Sequence, residues 1–162
     1  MRRAGLVAAS VCALLAVWGP GAGAASTARS VPAAVRAARR AHAPFPGLTQ
    51  AVIHVGGNSL SVVIAKTESQ REEGLRTRSN LGSYAGMLFV FGQPTTVSFT
   101  MSTVPVPLQI GFYASNGRSV GRVLMQPCPR AEADCPVYQA PRPFRYALET
   151  LSGGLPSGQL SG

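Results

Sequence analysis

Gly86-Met87-Leu88-Phe89-Val90-Phe91 is a continuous apolar run of strand length, closed by Gly92-Gln93-Pro94. So short a run between turn residues reads as a core strand, and its neighbours extend the pattern. Upstream, Thr49 to Val55 and Ser59 to Lys66 are two further strand candidates joined by Gly56-Gly57-Asn58, a hairpin signal. Downstream, Val97 to Met101 is a short strand candidate, and Pro105 and Pro107 confine the next segment to an edge or a crossing loop. Leu108 to Ala114 then alternates, Ser115-Asn116-Gly117-Arg118 turns the chain, and Ser119 to Met125 returns. Phe144 to Leu151 follows a long loop as the last strand. The fold class is mainly β, a single domain over residues 48–155.

One helix interrupts the strands. Thr67-Glu68-Ser69-Gln70 fits a capping box, a hydroxyl at the N-cap with Gln three residues on, and Asn80 and Gly82 supply a stop. Arg71, Gly74, Leu75 and Arg78 are spaced i, i+3, i+4, i+7, so on a continuous helix they share a stripe. Burying two guanidinium groups there is costly unless they meet partners. Arg71 and Arg78 therefore either bind a ligand or pair internally with carboxylates and carbonyls, Glu149 being the best single carboxylate partner.

The N-terminus has a different composition. Met1-Arg2-Arg3 precedes an apolar run from Ala4 to Trp18, and Ala22-Gly23-Ala24 offers an A-x-A cleavage site before Ala25. The run is shorter than the roughly 20 residues that a membrane-spanning helix needs. Residues 1–24 thus read as a secretory signal, an uncleaved anchor being the competing reading, and the protein is expected to be exported to the periplasm or beyond the cell. Residues 25–47 are rich in alanine, carry Arg29, Arg36, Arg39 and Arg40 and hold no acidic residue. They read as a basic tether with at most a marginal helix. Residues 156–162 read as a flexible C-terminus.

Outside the signal two cysteines remain, Cys128 and Cys135. In an oxidising compartment they are expected to form a disulfide, and closing so short a loop stabilises by roughly 2–3 kcal/mol. A zinc or redox pair is the alternative, but zinc usually takes four protein ligands and redox motifs are typically C-x-x-C. No metal or cofactor is expected: His54 stands within an alternating strand and His42 in the tether.

Removing Arg2 and Arg3 leaves thirteen basic residues against six acidic ones, a net charge of +7. The basic residues are spread, and aromatic interleaving is too thin for a nucleic-acid surface. An anionic envelope polymer, a lipid headgroup or a small anionic ligand fits the charge better. The sequence holds neither a G-x-S-x-G elbow nor a nucleotide-binding fingerprint.

The order of these pieces carries a resemblance. Arg71 with Gly74-Leu75 and Arg78, then residues 86–91, then Phe99, Met101 and Pro107-Leu108, and finally Cys128, Cys135, Tyr138 and Arg145-Tyr146-Ala147-Leu148-Glu149 resemble the family called domain of unknown function 192. The resemblance implies a jelly-roll-like β-sandwich or barrel with one short α-helix, usually exported in bacteria, and no established activity. The family usually carries Trp before the Met of Met101, Lys-Asn-Thr after it and Asp after Pro-Leu. This chain has Thr100, Ser102-Thr103-Val104 and Gln109 there.

Three roles follow as expectations. The first is a binding or accessory module of the cell envelope, with Arg71 and Arg78 facing an anion. The second is a small-substrate enzyme using Arg78, Glu149, Ser102 and Thr103. The third is a structural partner of another exported protein, which predicts an exposed apolar patch.

Overall fold

The structure, a computed structural model, describes residues 30–162. The expected signal segment lies outside the described residues. Ten strands and two short α-helices build a mainly β domain: α1 (Val31–Arg36), β1 (Arg39–Arg40), β2 (Thr49–Val55), β3 (Asn58–Ala65), α2 (Glu68–Glu73), β4 (Gly86–Thr95), β5 (Phe99–Thr100), β6 (Leu108–Tyr113), β7 (Ser119–Met125), β8 (Val137–Tyr138), β9 (Phe144–Leu151) and β10 (Leu160–Ser161). Eight strands form one mixed sheet in the order β1-β2-β3-β4-β9-β6-β7, with β10 also on β2, while β5 and β8 pair separately.

Local chemistry accounts for the hairpin and the helix. The β2–β3 register closes on Val55↔Asn58, leaving Gly56 and Gly57 as a two-residue loop. Both have positive φ, 54° and 86°, the left-handed geometry that such a turn needs and that glycine adopts without strain. β3 and β4 run parallel, which requires a crossover, and α2 supplies it. The capping box forms: the Gln70 amide donates to Thr67 Oγ1 at 3.3 Å, and the Thr67 amide donates to Gln70 Oε1 at 3.1 Å. The helix stops at Gly74, whose φ of 50° leaves the right-handed region.

Alternation then divides the core between the two faces of the sheet. Met87 and Phe89 of β4 join Val63, Ala65, Ile110, Phe112 and Ala147 on one face, covered by Leu75, Leu81, Met101 and the cysteine loop. Leu88 joins Val62, Leu148 and Tyr146 on the other, covered by Val31, Ala34, Leu155 and Leu160. β4 is buried on both sides over its first half, as its apolar run requires.

Two expectations need correction. The tether of residues 25–47 is packed where it is described: Phe45 is 1% exposed, α1 buries Val31 and Ala34, and β1 pairs with β2. The supposedly flexible residues 156–162 include β10. There the Gly56 amide donates to the Gln159 carbonyl at 3.0 Å and the Leu160 amide to the Gly117 carbonyl at 2.8 Å, so this segment ties one hairpin turn to the other. Composition misleads in both places because few apolar anchors among small residues suffice once a preformed sheet face receives them. The domain therefore extends beyond residues 48–155 at both ends. Of the expected strand Val97 to Met101, Phe99–Thr100 alone pairs.

Candidate functional site

A cleft of about 570 Å³ opens between α2, the outer half of β4 and the segment leading into β5. Its walls carry Phe89, Phe91, Phe99, Leu75 and Val104. That size falls within the range of small-ligand pockets, roughly 300–1,000 Å³.

Glu149 lies among the lining residues. Its strand, β9, runs between β4 and β6, and the residues beside Glu149 in register are Met87 and Ile110. Glu149 is 4% exposed, and among the described residues its carboxyl has neither a hydrogen-bond nor an ion-pair partner; no fully buried side-chain oxygen there is left unsatisfied, so the carboxyl oxygens reach the cleft. Burial without a compensating cation pushes its pKa up from 4.5 to about 8, so the carboxyl is mostly protonated at neutral pH. A lone acid placed between two apolar strands costs stability, and its open side faces the cleft.

The arginines nearby have partners other than Glu149. Arg71 donates to the Lys66 carbonyl at 2.6 Å and to the Val90 carbonyl at 3.2 Å, and its guanidinium lies 4.8 Å from the Phe91 ring centroid. Arg76 donates to the carbonyls of Glu72 and Ser102 and pairs with the Glu132 carboxylate. Neither reaches Glu149.

Arg78 is absent from the cleft lining. It donates to the Pro44 carbonyl at 2.9 Å, reaches Glu73 at 3.4 Å and lies over Phe45. The expected stripe of Arg71 and Arg78 does not form, because α2 ends at Glu73 and the turn at Gly74 redirects everything after it. Ser102 is buried and donates to the Arg130 carbonyl at 3.1 Å; Thr103 Oγ1 donates to the Ser102 carbonyl at 2.6 Å. Neither hydroxyl lines the cleft. Of the five candidate residues, Arg71 and Glu149 thus share this site, and Arg78, Ser102 and Thr103 do not.

Arg76 and Glu132 escaped the sequence reading, and so did the three phenylalanines as a cleft wall. The Arg76–Glu132 pair spans 56 residues and ties the end of α2 to the cysteine loop, a contact with no local signal. Cys128 and Cys135 form the expected disulfide, with Cα atoms 5.9 Å apart, and hold that loop in place. Among the described residues no group of three or more potential metal ligands occurs.

Fold and cleft together define a small mixed-sheet β domain with a lateral, partly aromatic cleft. The chain belongs to the domain of unknown function 192 family, described as an uncharacterized ACR, whose model matches residues 51–160. It is similar to a solved protein of unknown function from Novosphingobium aromaticivorans, at 26% identity over 80% of this chain and 96% of that one, with a TM-score of 0.63. A second similar structure, from Sinorhizobium meliloti, is described as a proposed transcription regulator; it is 29% identical over 68% of this chain and 90% of that one, with a TM-score of 0.57. No curated protein matches the chain. Thr100 and Val104, two of the positions at which the chain departs from the usual family residues, both line the cleft.

Proposed function

We propose that the protein is an exported binding module that holds a small ligand in the cleft above Glu149. The observation carrying this reading is the Glu149 carboxyl, 4% exposed and without a partner among the described residues, in the lining of a cleft whose walls mix aromatic and charged side chains. A titratable group with a strongly perturbed pKa in a cleft is a candidate functional group. Export is supported by the Cys128–Cys135 disulfide, since such bonds persist in oxidising compartments, and by the signal-like residues 1–24. The site would serve an envelope or extracellular ligand.

An anionic ligand held jointly by Arg71 and Arg78 finds less support, because Arg78 is turned to the Pro44 carbonyl and Glu73 and only Arg71 borders the cleft. A two-dimensional NMR screen of small fragments of every charge type tests the module reading. Ligand-induced shifts should cluster at Phe89, Phe99, Val104 and Glu149. Fragments that bind only elsewhere, or none that bind at all, would remove the basis for it.

A further inference from the structure

The sequence is strongly basic, with six acidic residues in total. Five of those six, Glu68, Glu72, Glu73, Glu132 and Glu149, line this one cleft. The cations facing the same space are Arg71 and Arg76, and both are already engaged by carbonyls, a ring or Glu132. In this cleft carboxyl groups outnumber guanidinium groups five to two.

The apolar wall matters as much. Arg71 over Phe91 shows that a ring on this wall already takes a cation on its face. Phe89 and Phe99 pack edge to face at 5.2 Å, and both border the cleft near Glu149. A carboxylate beside aromatic rings is the chemistry that holds an organic ammonium group.

Resting on the reading of this cleft as a ligand site, we propose that its ligand is an organic cation, an ammonium group on an apolar body, held by the Glu149 carboxylate against Phe89 and Phe99. Because the empty site holds Glu149 protonated below about pH 8, binding such a cation expels one proton from that carboxyl to solvent. Affinity for a permanent cation therefore rises with pH up to about 8 and then levels. A neutral or anionic ligand accepting a hydrogen bond from the protonated acid would bind with constant affinity up to about pH 8 and weaken above it. The other charged groups facing Glu149's surroundings are Glu68, Arg71, Glu72 and Glu73 of α2, Arg76 just beyond it and Glu132 of the cysteine loop; Met87 and Ile110 flank it on the adjacent strands. The Glu149→Gln variant retains all of them, so a slope lost in it is assigned to Glu149.

The test titrates the full folded domain with benzyltrimethylammonium, benzyl alcohol and benzoate between pH 6 and 9, by NMR and by calorimetry in two buffers of different ionisation enthalpy. The Kd for benzyltrimethylammonium should fall about tenfold per pH unit from 6 to 8, with proton release approaching one per ligand at the acid end. Glu149→Gln should flatten that slope and weaken binding at pH 8 at least tenfold, with a melting curve verifying that the variant is folded. Cleft binding by benzoate or benzyl alcohol as tight as by the cation, or cation binding without a pH slope, overturns the ligand class and leaves the cleft as a site. Absence of cleft shifts with all three probes overturns both readings.

Discussion

Replacing Glu149 by glutamine removes a buried acid while keeping its shape, and the effect on stability should depend on pH in a defined direction. The folded protein holds this proton up to about pH 8, whereas the unfolded chain releases it near 4.5. Between those values the folded state binds more protons than the unfolded state, so stability falls as pH rises through the window. The full fall corresponds to a few kcal/mol, on the order of 4–5 at about 1.36 kcal/mol per pKa unit. That is an upper figure, because water entering the cleft solvates the carboxylate. It is still a large share of the roughly 5–15 kcal/mol that holds a small domain together. Urea unfolding of native and Glu149→Gln protein at pH 4.5, 6, 7, 8 and 9 isolates the effect. The two should be nearly equally stable at the acid end, and the variant should be increasingly the more stable toward pH 8 and level beyond. A difference that is independent of pH, or a variant less stable at pH 9, would refute the claim that the acid is buried without a partner.

Other changes probe the frame around the cleft. Reducing the Cys128–Cys135 disulfide should cost roughly 2–3 kcal/mol by freeing the loop in the unfolded chain, read as a lower unfolding midpoint in urea with reductant. Thr67→Ala removes the side chain that accepts from the Gln70 amide and should cost about 1 kcal/mol, measured by the same assay. Gly56→Ala should cost at least about 1 kcal/mol, because φ is positive there and an added Cβ would meet the Ser157 backbone. Faster amide exchange at Leu160 in that variant would locate the damage in the C-terminal strand.

Most of the sheet was legible because its signals are local. Gly56-Gly57 dictates its turn, Thr67 and Gln70 cap their helix, and residues 86–91 have the composition of a strand buried on both faces. The packed ends were not legible: Phe45 and Leu160 are single anchors in segments of small and polar residues, and their burial depends on strands far away in sequence. The site was half legible. The sequence offers Glu149 as a partner for Arg71 or Arg78, but helical spacing continued through Gly74 points Arg78 in the wrong direction. With the stripe broken, Glu149 stands unpaired between Met87 and Ile110, and that isolation is visible only once β4, β9 and β6 are aligned. Arg76 and Glu132, which brace the rim, meet across the fold and leave no trace in spacing.

The most direct measurement is the carboxyl carbon chemical shift of Glu149, followed by NMR across pH 3 to 10 in the ligand-free protein. A midpoint near 8 is expected, as for an acid buried beside a cleft without a cation. A midpoint at or below 4.5 would mean that the carboxylate is solvated or paired, and it would contradict the assignment of this cleft as a site built around an open acid.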